Sequence, residues 1–426
     1  MAWIIRNGRI VSTRGEQALD VLIDGGKITE VGKTLTAKGA TEIDATGCVI
    51  APGFVDLHTH MREPGKEEAE TIETASRAAA KGGYTCAVAM PNTDPAQDSV
   101  AVVQFVRNQG ERAGLCDVRP SGCITMGRLG ETLVPFGSLK AEGVHIFTDD
   151  GNGVQDHVLM RRAMEYAKDL GIVLAQHCEV SSMTAGAVMH EGSCCSHLGL
   201  PGWPALAEEM MVFRDIELCR ITGARIHILH LSTARSVELV RAAKADGLPV
   251  SAEATPHHIC LSDKQLRGFD PLFKVNPPLR TREDIDALKR GLADGTIDAI
   301  ATDHAPHAPH TKEQPLDSAP PGMLGLETAL GVVLSEMNLD LPAVIDRMSV
   351  APARIAGVSG IHGCNIEVGA PANITVFDPD VTWSVEPERL ASKSRNTPYV
   401  GRKLRGRVRH TILRGEAVVV DGEAKK

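Results

Sequence analysis

Along the middle of the chain two textures alternate. Short apolar runs, "FVDLHTH", "TCAVAMPNT", "VRPSGCIT", "VHIFTDDG", "IVLAQHCE", "RIHILHLS", "PVSAEATPHH" and "AIATDHAPH", are separated by longer amphipathic stretches. Apolar runs of this kind read as strands buried on both faces. The text between them reads as helix, over Glu67–Lys81, Gln155–Leu170, Leu206–Ile221, Ala234–Ala245 and Arg282–Ala293. The gap around Leu129 to Ala141 has the weakest helical pattern. Eight strand-then-helix repeats predict an α/β fold, a (β/α)8 barrel.

The two ends of the chain have a different rhythm. "WIIRNGRIVS" and "DVLIDGGKITEVG" are β-rich and broken by Asn-Gly and Gly-Gly turn signals, and "ANITVFDPD" and "VRHTILRGEAVVVDGE" resemble them. Neither end alone buries much core. The expectation is one small β-sandwich-like domain assembled from residues 1–52 and 362–426, with the barrel over residues 53–361.

Polar residues gather where the predicted strands end. In a (β/α)8 barrel those ends share one mouth, where catalytic groups collect. The first strand supplies His58 and His60, two positions apart and so turned to one side. The fourth ends in Asp149 and Asp150, the fifth in His177, the sixth in His230 and the eighth in Asp303. A lone histidine at a strand end is more often structural than a ligand. Four imidazoles and two carboxylates closing different strands of one barrel point instead to metal, with zinc favoured over manganese, cobalt or iron. Six ligands exceed one tetrahedral ion. They suit two ions, one on His58, His60 and Asp303, the other on His177 and His230, with Asp150 bridging and Asp149 as its rival. Such a site activates a water for attack on an amide-like carbon, or the reverse.

Composition narrows the classes. The chain of 426 residues is 43% hydrophobic and 23% charged, an ordinary globular balance. No apolar run is long enough to cross a membrane, and the apolar core of "MAWIIRNGRIVS" is too short for a signal peptide, so a cytoplasmic protein is expected. Ten cysteines without a Cys-x-x-Cys pair read as free thiols. Net charge of −9 and 3% aromatics argue against nucleic-acid binding. One basic stretch, Arg389 to Arg414, holds nine Lys/Arg and no acid, which suits a solvated face, an anion-attracting rim or a partner surface.

Taken together, "DLHTHMREPG", "AMPNT", "DDG", "QHCE", "HILHLST", "KVNPPLR", "ATDHAPH", "GMLGLET" and "TPYVGRKLRGRVRHTILRG" resemble the dihydroorotases of the amidohydrolase superfamily, of the bacterial type bridged by an aspartate. The likeness spans essentially the whole chain. It implies reversible cyclisation of N-carbamoyl-L-aspartate to L-dihydroorotate in pyrimidine biosynthesis, with two Zn2+ per chain and one bridging hydroxide. Its metal positions fall on His58, His60, Asp150, His177, His230 and Asp303. Asp303 is implied as the proton carrier. Arg62 is implied to grip the substrate carboxylate together with Asn92. Asn276, His307 and the backbone of Pro321 and Gly322 complete the pocket. His257 and His258 support the site from behind, and His310 faces solvent.

Two other readings compete. Hydantoinase, dihydropyrimidinase and allantoinase relatives bridge their metals with a carboxylated lysine on the fourth strand, where this chain has Asp149-Asp150 and no lysine. Some dihydroorotase relatives have lost their ligands and serve as scaffolds for aspartate transcarbamoylase, whereas every ligand is present here. A homodimer is the family expectation, and association with aspartate transcarbamoylase through the basic stretch is the partner expectation. The Pro-rich segment from Pro306 to Met323 reads as a loop that orders over substrate.

Overall fold

The computed structural model describes residues 2–425. Eight short parallel strands occupy its centre: β1 (Phe54–Thr59), β2 (Tyr84–Ala89), β3 (Asp117–Pro120), β4 (Ile146–Phe147), β5 (Val173–Gln176), β6 (Arg225–Ile228), β7 (Val250–Ala254) and β8 (Ala299–Ile300). They form a three-stranded sheet, β3-β2-β1, and a five-stranded sheet, β4-β5-β6-β7-β8. Isolated parallel bridges join the sheets on both sides, Gly122 to Phe147 and Thr59 to His304. At the second seam the buried Asp56 carboxylate accepts from Thr302 N at 2.9 Å, Thr302 Oγ1 at 2.5 Å and Thr59 Oγ1 at 2.8 Å. All eight apolar runs therefore contain a strand, and the polar ends lie at the strand ends, His58 within β1 and the others just beyond their strands.

Helices follow most strands and bury their apolar faces against the sheet. The helix Ile72–Lys81 starts five residues later than its sequence pattern suggests. Thr71 caps it, and Glu70 is drawn off to bind Lys393 N at 2.9 Å and the Ser392 hydroxyl, which keeps residues 67–70 out of the helix. Helix His157–Leu170 is capped by Asp156 and stops at Gly171 in a left-handed conformation, φ +65°. Leu206–Thr222, Ala234–Ala245 and Arg282–Asp294 fall close to expectation. The weak third region yields only the short helix Phe136–Ala141, while a well-formed helix, Val100–Ala113, occupies the gap between β2 and β3.

The two ends of the chain come together. Trp3–Arg6, Asp20–Asp24, Lys27–Gly32 and Thr41–Asp44 make a four-stranded sheet, and a seven-stranded sheet interleaves Arg9–Ser12, Gly15–Ala18 and Val49–Pro52 with four strands after residue 373. Trp3, Ile5, Val21, Ile23 and Ile50 share a core with Ile374, Val376 and Ile412. Gly25-Gly26 turns a hairpin. Asn7-Gly8 instead passes the chain from one sheet to the other, because the segments it joins pair with different partners. Val49–Pro52 runs into β1 through Gly53, where a Cβ would stand 2.2 Å from Thr85 Cγ2. That glycine lets the strand from the terminal sheet enter the central ring.

About half of the basic stretch is neutralised within the chain. Arg389, Arg402, Arg409 and Arg414 pair with Glu386, Glu336, Asp421 and Asp117, and Arg407 stacks on Trp383. All ten cysteines are free thiols, eight of them buried. Among the described residues no helix is long and apolar enough to cross a membrane.

Candidate active site

One carboxylate stands between two pairs of histidines. His58 Nε2 and His60 Nε2 each lie 3.5 Å from Asp150 Oδ2. His177 Nδ1 and His230 Nε2 lie 3.3 and 3.6 Å from its other oxygen, Oδ1. Asp303, just past β8, brings Oδ1 to 3.1 Å from His60 Nε2 and 3.5 Å from His58 Nε2. All six side chains are buried. Two sets, His58 with His60 and Asp150, and Asp150 with His177 and His230, keep their ligand atoms within 4.8 Å of one another.

The neighbouring residues fix which ring nitrogen faces this centre. His58 Nδ1 donates to Glu253 Oε1 at 2.8 Å, so its Nε2 carries a lone pair. His177 Nε2 donates to Glu179 Oε2 at 2.9 Å, which turns the Nδ1 lone pair inward, 2.9 Å from His230 Nε2. His60 Nδ1 donates to Asn92 Oδ1 at 3.0 Å, with the same effect on its Nε2. Lone pairs are thereby aimed at carboxylate oxygens. His58 Nε2 and Asp150 Oδ1 are buried with no hydrogen-bond partner. Acceptors facing acceptors in a buried site cost energy unless a cation lies between them. The donor set of imidazole and carboxylate suits zinc or a similar divalent ion, and the orienting carboxylates complete the pattern of a metal site.

Asp149 has another task. Its carboxylate accepts from Ile124 N at 2.8 Å and Thr125 N at 3.0 Å, as well as from the Thr125 hydroxyl. It shapes the turn after β3 and does not reach the histidines.

A cavity of about 290 Å³ opens over this centre. Arg62, Asn92, Asn276, His307, Pro321 and Gly322 all line it, together with Lys66 and Arg128. Arg62 is fixed by its Nε–H to Pro306 O at 3.0 Å, and burial lowers its pKa to about 10, still cationic at neutral pH. His307 donates from Nε2 to Pro321 O at 2.8 Å, tying together the two ends of the 306–323 segment. Burial and then the charge of Arg62 push its pKa down to about 3, so the ring is neutral. Gly322 has φ +143°, and a Cβ there would meet His307 Nε2 at 2.7 Å. Its N–H is already bonded to Lys274 O, at 2.9 Å. Arg62, Arg128, His230 and Asp303 all have positive φ, a costly backbone state that collects at functional sites.

His258 braces Pro277 O at 2.9 Å and Thr255 Oγ1 at 2.8 Å, beside Asn276. His257 is buried, with its Nε2 unpartnered. His310 is exposed. The 306–323 segment contains one helical turn, Pro309–Lys312, and is stapled from below by Asn396. The Asn396 amide takes His307 N at 3.1 Å and gives to Ala305 O at 2.9 Å and Gly322 O at 3.2 Å.

Dihydroorotases of Streptomyces coelicolor and Mycobacterium leprae are similar to this chain from end to end. The first is 50% identical over 99% of both chains, and the second 49% identical over 98% of both. The dihydro-orotase-like family model matches residues 47–236. The chain belongs to the dihydroorotase family.

Solved structures similar to this dihydroorotase family member include the L-hydantoinase of Arthrobacter aurescens, with TM-score 0.88 and 25% identity over 99% of this chain and 97% of that one. The dihydropyrimidinase of Brevibacillus agri has TM-score 0.85 and 24% identity over 100% and 96%, a likeness of fold. Sequence reasoning passed over Glu253, Glu179, Lys66, Arg128 and Asn396. Glu253 and Glu179 left a usable signal. The first is a lone charge in an apolar strand, and the second follows His177 by two positions.

Proposed function

We propose that this protein interconverts N-carbamoyl-L-aspartate and L-dihydroorotate, a step of pyrimidine biosynthesis, with two zinc ions held by His58, His60, Asp150, His177, His230 and Asp303. The observation that carries the reading is the placement of Asp150, one oxygen toward each histidine pair, with its Oδ1 and the facing His58 Nε2 both buried and unpartnered. When bound, the ions polarise the amide carbonyl and lower the pKa of a water to near neutrality. Arg62 binds the carboxylate beside the ring nitrogen through its terminal nitrogens, its Nε being occupied by Pro306. Asn92 shares that carboxylate through its amide nitrogen, since its oxygen holds His60. Asn276 offers its side-chain amide to the ring edge from the cavity wall. In ring opening Asp303 accepts a proton at a carboxylate oxygen and passes it to the leaving ring nitrogen. In closure the transfer runs backwards.

The ring of eight strands is read as a closed (β/α)8 barrel over residues 53–361, supported by the bridges at both seams. Residues 1–52 and 362–426 are read as a separate sandwich-like domain, supported by their shared core. The protein is proposed to be a cytoplasmic homodimer.

The structural neighbours favour one rival, hydrolysis of hydantoin or a dihydropyrimidine. Arg62 in the pocket and Asp150 between the histidines argue for the acidic substrate. Parallel assays of the metal-loaded enzyme with dihydroorotate, hydantoin and allantoin decide. Turnover of dihydroorotate alone is expected, and turnover of only an uncharged ring contradicts the assignment.

A further inference from the structure

Two cations at the cavity mouth have no task in the chemistry just described. Lys66 and Arg128 both line the cavity with Arg62. Lys66 sits on the exposed turn after β1, and its ammonium makes no hydrogen bond or ion pair among the described residues. Its environment is cationic. After burial, the charges of Arg62 and Arg128 do most to lower its pKa, and Asp94 opposes them without forming an ion pair. Arg128 comes from the turn after β3, and its Nε is buried with no partner. Its backbone is left-handed, φ +59°. Asp149 holds that turn in place through Ile124 N and Thr125 N, and Asn152 Nδ2 holds the Arg128 carbonyl at 3.0 Å. A non-glycine residue held at positive φ with an unpaired guanidinium nitrogen is costly to keep. Among the described residues the only carboxylates lining this cavity are Asp150 and Asp303, both committed to the histidine cluster.

We propose that Lys66 and Arg128 form an electrostatic funnel that draws anionic substrate into the cavity and hands it to Arg62. This inference rests on the proposed activity. Both substrates are anions, the cyclic one singly charged and the open-chain one doubly charged. The chain's net charge of −9 opposes the approach of both, and a cationic rim offsets that at the entrance. Arg62 alone would grip the carboxylate only after entry, whereas unpaired charges at the mouth act at a distance.

The test compares the metal-loaded wild type with Lys66→Met, Arg128→Met, the double variant and Lys66→Arg. kcat/KM is measured in both directions between about 0.01 M and about 1 M salt, where the screening length shrinks from about 30 Å to about 3 Å. The wild type is expected to lose about tenfold in kcat/KM as salt rises. The double variant starts about tenfold below it at low salt, is nearly flat, and meets it at high salt. Lys66→Arg follows the wild type. Each variant must lose the same factor in both directions, since the overall equilibrium is unchanged. A double variant with wild-type kcat/KM and an unchanged salt slope overturns the inference, as does a loss that persists undiminished at high salt. Wild-type enzyme that does not turn over dihydroorotate at all sinks the activity reading and this inference together.

Discussion

His58 Nδ1 donates to Glu253 Oε1 across 2.8 Å, and neither side chain touches solvent. The other Glu253 oxygen accepts from His227 Nε2 at 3.0 Å, and His230 N approaches Oε1 at 3.4 Å. One carboxylate on β7 thus orients a proposed ligand of the first ion and holds the backbone of a ligand of the second.

Replacing that carboxylate weakens the metal site without removing a ligand. Glu253→Gln is expected to reduce metal affinity about 10–100-fold, the usual cost of losing an orienting partner. Competition against a chromophoric chelator reads this directly. Wild-type affinity in the variant would mean that Glu253 is only a packing residue.

Asp303→Asn separates metal retention from proton transfer. His58, His60 and Asp150 remain, so metal is expected to be kept at least in part. Turnover of dihydroorotate should fall by about 10²–10⁴-fold, the range for removing a general acid–base group. Metal analysis beside steady-state rates checks both halves, and near-normal turnover contradicts the proton assignment.

Much of this site was legible because strands are periodic. His58 and His60 two apart, and His177, His230 and Asp303 each just past an apolar run, needed only the α/β rhythm to be placed together. Asp150 over Asp149 was not decided by spacing. The structure separates them because Asp149 is taken by Ile124 N and Thr125 N. Asn396 was invisible for a different reason. It lies about ninety positions from His307, on a segment without regular structure, and only tertiary packing brings them together. The late start of helix Ile72–Lys81 likewise depends on Glu70 reaching Ser392 and Lys393. The Asn7-Gly8 turn looked like a hairpin signal, but which sheet each flanking strand joins is set by partners far along the chain.

Asn396→Ala removes three hydrogen bonds that hold both ends of the 306–323 segment. The expected cost is about 2–3 kcal/mol locally, with KM for dihydroorotate raised more than kcat is lowered. Limited proteolysis should show faster cleavage within the segment, partly suppressed by dihydroorotate. Wild-type KM and wild-type resistance together would refute this role.

Glu327 gives a pH-dependent prediction. Burial raises its carboxyl to about 7, against the opposing hydrogen bonds from Ser392 N and Ala391 N. The folded state therefore holds this proton more tightly than the unfolded chain, and this group's contribution to stability falls as pH rises from about 4.5 to about 7. Glu327→Gln keeps an acceptor for both amides and cannot ionise. Allowing for partial solvent contact, it should be about 1 kcal/mol more stable than wild type at pH 8, with little difference at pH 4.5. Chemical denaturation at the two pH values tests the sign, and a variant less stable at pH 8 contradicts it.

The central claim is that His58, His60, Asp150, His177, His230 and Asp303 hold a pair of divalent ions on which turnover depends. Metal content per chain, measured with dihydroorotate turnover before chelation, after it and after zinc is restored, tests this most directly. The account predicts two equivalents per chain, loss of turnover as they are stripped, and recovery as they return. Unchanged turnover by a chain shown to be free of metal would contradict it.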